Sequence, residues 1–213
     1  MTEKEIKMQL LSIYGGSISD ARKALEFVNE GSRENVSDVS KDVNSKDGVY
    51  LIYSDGHSEL FNHKNSKDNV RYIGLCFDGH YLAVALKDAG YCQLVKGDFP
   101  KDNSWNYKDR EWKAIEDWDG KGNTEHLREN GLNSEIKLKE WEYIPASGQQ
   151  LFMDKHLEKL NEALLYVGGD PIKMDNWYWS SSGYNASDAW LVIFGSGGVG
   201  SSASRTVIEC GRL

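Results

Sequence analysis

Apolar side chains recur first at helical spacing, then at alternate residues, then at helical spacing again, and finally at alternate residues toward the C-terminus. Ile18, Ala21, Leu25 and Val28 sit behind the candidate caps Ser17, Ser19 and Asp20, which predicts a short amphipathic helix over 17–30. Gly31 to Asp47 is a polar run of Ser, Asn, Asp and Lys with scattered valines and reads as a linker. An N-terminal helix and linker over 1–47, then one domain over 48–213, is the expected organisation.

Val49-Tyr-Leu-Ile-Tyr, the turn residues Ser54-Asp-Gly-His, and Glu59-Leu-Phe have the grammar of a β-hairpin. Tyr72-Ile-Gly-Leu-Cys-Phe, Asp78-Gly-His and Tyr81-Leu-Ala-Val-Ala-Leu repeat it. Helical period returns over 109–118 and 123–130, separated by Asp119-Gly-Lys-Gly and with Asn123 available as a cap. A further helix is expected over 147–166, where Leu151, Phe152, His156, Leu157, Leu160, Leu164 and Leu165 fall on one side and Gly168-Gly ends the run. Trp177-Tyr-Trp, Ala189-Trp-Leu-Val-Ile-Phe and Thr206-Val-Ile-Glu-Cys are three short β runs between Ser/Gly/Asn/Asp loops. Strands, then helices, then strands, without βαβ alternation, predict an α+β fold of antiparallel strands with two main helical segments.

Charge excludes one class of partner. Acidic residues outnumber basic ones 33 to 25, for a net charge of −8, and no Lys/Arg stripe is present to neutralise phosphates, so nucleic acid is not the expected partner. No apolar run approaches the ~20 residues of a membrane span, and Met1-Thr-Glu-Lys-Glu-Ile-Lys is not a basic-then-apolar leader, so membrane insertion is not expected. Cys76, Cys92 and Cys210 are odd in number and lack CxxC spacing, which argues for small buried hydrophobes over a zinc site or a disulfide framework.

Gly195-Ser-Gly-Gly-Val-Gly matches the dinucleotide fingerprint by letter. That fingerprint needs a following helix and a second strand, and the thirteen residues after Gly200 read as a loop and a strand, so a glycine-rich hairpin loop is expected instead. Asp117-Trp-Asp-Gly-Lys-Gly-Asn opens like a calcium loop, but Lys121 stands at the third ligand position and Arg128 where the bidentate Glu belongs, leaving a helix-to-helix turn. His57, His63, His80, His126 and His156 never pair at metal spacing, and no Gly-x-Ser-x-Gly elbow occurs. No catalytic residue, cofactor or metal is therefore expected.

Between Ser180 and Thr206 the loops are rich in Ser, Gly, Asn and Tyr, the residue types adaptable binding surfaces favour. The string Trp177-Tyr-Trp-Ser-Ser-Ser-Gly-Tyr-Asn-Ala-Ser-Asp-Ala-Trp-Leu-Val-Ile-Phe, followed by a Gly-rich turn, Arg205 and a terminal Gly-Arg-Leu, resembles the ending of a C-type-lectin-like family of gut Bacteroides and their phages. Asp117-Trp-Asp-Gly-Lys-Gly-Asn-Thr-Glu, Tyr143-Ile-Pro-Ala, Leu160-Asn-Glu-Ala-Leu, Gly168-Gly-Asp-Pro-Ile-Lys, Gly48-Val-Tyr-Leu-Ile and Ile73-Gly-Leu resemble the same family.

The resemblance implies a formylglycine-generating-enzyme-type variant of the C-type lectin fold and a role as the variable protein of a diversity-generating retroelement. It implies a variable region over about 177–213, a framework of Tyr178, Trp179, Ser180, Ser181, Ala189, Trp190, Phe194, Gly197 and Arg212, and ligand contacts at Gly183, Tyr184, Asn185, Ser187, Asp188, Leu191, Ile193, Gly195, Ser196, Ser201, Ser202, Ser204 and Thr206. The partner implied is a protein or glycan receptor on a target cell, met from a phage virion or a bacterial cell surface. The family's calcium motifs of the Glu-Pro-Asn or Trp-Asn-Asp type are missing, so no calcium-borne sugar site is inferred. An oxidase of the formylglycine-generating type and a purely structural virion or fimbrial subunit are the alternatives. Period-two alternation adds a geometric expectation: Val192 and Phe194 pack while Leu191 and Ile193 face solvent, with Trp177, Trp179 and Trp190 as buried supports.

Overall fold

The computed structural model describes residues 46–96, 107–206, 208–211 and 213, so the helix expected over 17–30, nearly all of the linker, and Arg212 lie outside the described residues. The chain divides into two compact units, Met1–Val84 and Ala85–Leu213, and the stretch 48–213 runs through both. The described residues form an α+β structure of two sheets and four helices.

In the first unit β1 (Gly48–Tyr53), β2 (Ser58–Leu60), β3 (Val70–Phe77) and β4 (His80–Ala85) form a sheet in the order β2-β1-β3-β4. β1 runs antiparallel to both β2 and β3, which joins the two expected hairpins into one sheet. Asp78 and Gly79 both take positive φ, 52° and 79°, as a two-residue Asp-Gly hairpin requires. Leu51, Ile73, Leu75 and Leu82 are fully buried.

In the second unit the sheet order is β5-β9-β6-β7-β8, built from β5 (Gly90–Cys92), β6 (Trp177–Gly183), β7 (Asp188–Ile193), β8 (Gly198–Ala203) and β9 (Ile208–Cys210). β6 and β9 pair in parallel and the other described pairs are antiparallel, so this sheet is mixed. Between β5 and β6 lie α1 (Glu111–Ile115), α2 (Gly120–Asn130), α3 (Ser147–Lys155) and α4 (Leu157–Tyr166). α2 begins three residues before the expected start because Asp119 caps it, its Oδ1 accepting from the Gly122 N–H at 2.9 Å. The helix expected over 147–166 is broken at His156, whose φ of −116° and ψ of 17° leave the helical region.

The glycine-rich run after Phe194 is a turn, with Gly195 at φ 95° and Gly197 at φ 66°, and the strand that follows it, β8, was not foreseen. Its pairing with β7 carries Ala189 opposite Ser202, Leu191 opposite Gly200 and Ile193 opposite Gly198. Both faces of this sheet are covered near its centre. Trp179, Ala189 and Leu191 join Leu94, Val95, Ile136, Ile144 and Leu127 of α2 in one buried cluster. Tyr178, Val192 and Phe194, offset by one residue, are buried as well, and α3 packs on β6 and β7. Each fully buried aromatic contributes about 2–3 kcal/mol from the area it removes from water.

Candidate functional site

Two serines of β6, Ser180 and Ser182, anchor helices under the sheet. Ser182 Oγ donates to Asp117 Oδ2 at 2.7 Å and accepts from the Ser147 N–H at 3.1 Å, so one hydroxyl joins the end of α1's loop to the first residue of α3. Ser180 and Ser147 share a hydrogen bond of 2.8 Å, and Gln150 Nε2 donates to the Trp179 carbonyl at 2.9 Å. Asp117 also accepts from Asn123 Nδ2 at 2.9 Å and from the Asp119 N–H at 3.2 Å. Its carboxylate is thus organising a turn, and Arg128 spends its guanidinium on the carbonyls of Lys139, Glu140 and Glu142. Among the described residues no group of three or more His, Cys, Asp or Glu side chains is disposed to hold a metal ion.

A cleft of about 410 Å³ opens on the face of Leu191, lined by Tyr91, Asn176, Trp177, Leu191, Gly200, Ser201, Ser202 and Ile208. Tyr91 from β5 is 66% exposed and Trp177 at the start of β6 is 38% exposed, so two aromatic side chains stand in solvent across a floor of aliphatic side chains. Register explains how Trp177 gets there. It pairs with Ile193, which pairs with Gly198, and its indole reaches on to Gly200, where an added Cβ would meet ring carbons at 3.1 and 3.2 Å. Glycine at 200 leaves room for that ring. Every lining side chain is uncharged, so the cleft offers stacking surface with amide and hydroxyl groups at its rim. A larger hollow of about 600 Å³ in the first unit is lined by Tyr53 and otherwise by polar side chains such as Asp55, His57, Glu59 and Asn62, and lacks this combination.

A charged cluster adjoins the cleft. Glu209 is buried on β9 and takes both carboxylate oxygens to Lys173 Nζ, at 2.6 and 2.8 Å, while Asn176 Nδ2 donates to its Oε2 at 2.7 Å. Burial, followed by the Glu209 carboxylate, pushes the Asp88 carboxyl up to about 7. The Lys173 ammonium is raised chiefly by its hydrogen bond to Glu209.

The thirteen expected contact residues fall in three places. Leu191, Ser201 and Ser202 line the cleft. Gly183, Tyr184, Asn185, Ser187 and Asp188 form the β6–β7 end, to which Ser204 is joined by its N–H to the Ser187 carbonyl at 2.9 Å. Asn185 is occupied in building that turn: its Oδ1 accepts from the Ser187 and Asp188 N–H groups at 2.8 and 2.9 Å, and its Nδ2 donates to Asp188 Oδ2 at 2.7 Å. The Tyr184 ring meets Trp190 edge-on at 5.1 Å, and Thr206 bonds Ser202 through their hydroxyls at 3.0 Å. Ile193, Gly195 and Ser196 lie at the opposite, β7–β8 turn, where Asp154 Oδ1 accepts from the Gly195 N–H at 2.6 Å.

Three of these residues are not in solvent. Leu191 is 5% exposed, Ser204 1%, and Gly183 is buried; for Leu191, inside β7, the reason is that a sheet covered on both faces has no free alternate set of residues at its centre. Trp177 departs in the other direction: expected as a core support, it stands partly exposed at the strand's first residue. Tyr91, Asn176, Trp177, Gly200 and Ile208 were not foreseen as site residues. The period-two register of Trp177 with Trp179 was a usable signal for one of them, but nothing local marks Tyr91, which reaches the site only through the pairing of β5 with β9.

Neither a protein-family model nor a curated protein matches the chain. In a comparison with solved structures it is similar to a fimbrial protein from Bacteroides ovatus, with a TM-score of 0.56 at 16% identity, over 79% of this chain and 48% of that one. The likeness is one of fold, and the chain spans about half the length of that protein.

Proposed function

We propose that this chain is a receptor-binding protein of a bacterial or phage surface, not an enzyme, and that it holds its ligand in the cleft between Tyr91 and Trp177. The observation that carries the reading is that cleft: exposed aromatic surface, an aliphatic floor and an uncharged polar rim meet in one concavity. The finer reading, a C-type-lectin-like variable protein of a diversity-generating retroelement, draws support from the burial of seven framework positions the resemblance names, Tyr178, Trp179, Ser180, Ser181, Ala189, Trp190 and Phe194. Residues with core duties stay fixed while rim residues such as Ser201 and Ser202 tolerate change, typically within ~0.5 kcal/mol. For the oxidase alternative, Cys210 is the residue to weigh: it is fully buried, and burial pushes its thiol well above the usual range, away from the thiolate that chemistry needs.

The test is a panel of arrayed bacterial surface glycans and outer-membrane proteins probed with the full chain, alongside Y91A and W177A. A panel member bound by the parent and lost by at least tenfold in both variants, with unchanged melting, supports the reading; equal binding by all three contradicts it. A structural subunit of a fimbria is the second reading, and the fold likeness to a fimbrial protein favours it. It requires the cleft to be covered in an assembled polymer, which cross-linking at position 177 detects.

A further inference from the structure

The hollow of about 600 Å³ in the first unit is built by one hairpin and the loop that follows it. Gly56, at φ 89°, turns β1 into β2, and the Ser54 N–H bonds the Asn69 carbonyl at 2.8 Å, which closes the loop 61–69 against the hairpin. Two of the lining side chains face each other, and each is held from behind. The His57 ring stacks on buried Tyr53, with centroids 4.2 Å apart and 6° between the planes, and its Nδ1 bonds the Asp55 carboxylate. Glu59 Oε2 accepts from the Tyr53 hydroxyl at 3.1 Å and from Asn65 Nδ2 at 2.8 Å. His57 Nε2 and Glu59 Oε1 then stand 3.8 Å apart, too far for a direct hydrogen bond.

The Asp55 carboxylate fixes the proton of a neutral His57 on Nδ1, so Nε2 is an acceptor, and the carboxylate oxygen opposite it is an acceptor too. Two preset acceptors facing one point call for a group that donates twice. We propose that the hollow is a second binding site, for the primary ammonium of an amino sugar, held by Glu59 Oε1 and His57 Nε2. An ammonium nitrogen at ordinary hydrogen-bond length from both, ~2.9 Å, directs two of its three N–H groups at them, one bond being charge-assisted. Charge favours a cation as well: Asp55, Glu59 and Asp68 outnumber Lys64 in the lining. Ser54, Asn62 and Asn69 add hydroxyl and amide groups around the hollow, partners for the hydroxyls of a sugar ring and not for a methylene stem. The site belongs to the first unit and is independent of the cleft between Tyr91 and Trp177.

Amide chemical-shift titration of the full chain with methyl β-D-glucosaminide at neutral pH tests this, with methyl β-D-glucoside, the N-acetyl derivative and n-butylamine as comparisons. The glucosaminide produces saturable shifts at His57, Glu59 and Asn62. The glucoside and the N-acetyl sugar, which lack the ammonium, bind at least about tenfold more weakly, as does the glucosaminide to E59Q and to H57F, which keeps a ring on Tyr53 but removes the acceptor. Absence of saturable shifts in the hollow, equal binding of the glucoside, or parent-like binding by both variants overturns the proposal. Binding of n-butylamine as tight as that of the glucosaminide overturns the sugar assignment. Shifts confined to Trp177 and Ser201 would put the ligand in the cleft instead, and so reject this site while leaving the cleft reading in place.

Discussion

The indole of Trp177 covers Gly200 two strands away: a Cβ at position 200 would sit 3.1 Å from ring carbon Cη2 and 3.2 Å from Cζ3. The ring therefore owes its place to the missing side chain, and Gly200→Val displaces it into solvent. Since Trp177 already stands partly exposed, the ring can swing out at modest cost, about 1 kcal/mol or less, well short of a core substitution. Acrylamide quenching of tryptophan emission rises in G200V, and the rise disappears in the G200V/W177F pair.

Leu191 and Ser201 line one cleft but answer to different constraints. Leu191→Ala removes buried methyl groups from the central cluster and lowers unfolding free energy by about 2–5 kcal/mol in urea titrations. Ser201→Ala, at an exposed position, stays within about 0.5 kcal/mol. Equal effects of the two would contradict the placement of Leu191 in the core.

Ser182→Ala removes a donor to the buried carboxylate of Asp117 and an acceptor for the Ser147 N–H. A buried acceptor left short of a partner costs about 1–3 kcal/mol, so urea unfolding of S182A shows a loss of that order. Ser58→Ala, on an exposed strand of the first unit, serves as the comparison and changes little.

How much of this was legible in the sequence follows from the range of the forces involved. The hairpins around Asp55-Gly56 and Asp78-Gly79 and the α+β order were legible because turn chemistry and periodicity act within a few residues. β8 was hidden because Gly198-Val-Gly-Ser-Ser-Ala carries almost no side-chain pattern and owes its strand to the partner β7. The same distance effect hid the site. Leu191 and Ile193 were correctly placed on one face, but whether that face is wet depends on α2 and on residues 92–95, far away in the chain. Asn185 looked like a contact residue by type, and its hydrogen bonds spend it on the turn.

Asp88 makes stability depend on pH in a direction opposite to ordinary acid unfolding. Its folded carboxyl titrates at about 7, above the ~3.9 of an unfolded Asp, so the folded state binds more protons between those values. The contribution is complete below about pH 4 and is lost as pH rises through about 7. Screening at a half-buried site reduces it to about 1–3 kcal/mol. Between pH 5 and 8.5 the unfolding free energy of the parent therefore falls relative to that of Asp88→Asn. A constant difference between the two across that range would show that Asp88 titrates normally.

Amide chemical-shift mapping of the labelled chain against a receptor taken from the surface panel tests whether the ligand sits between Tyr91 and Trp177. Shifts are expected at Tyr91, Asn176, Trp177, Ser201, Ser202 and Ile208, with the turns at Asn185 and Ser196 quiet. Shifts confined to those two turns, with Trp177 and Tyr91 unmoved, would contradict it.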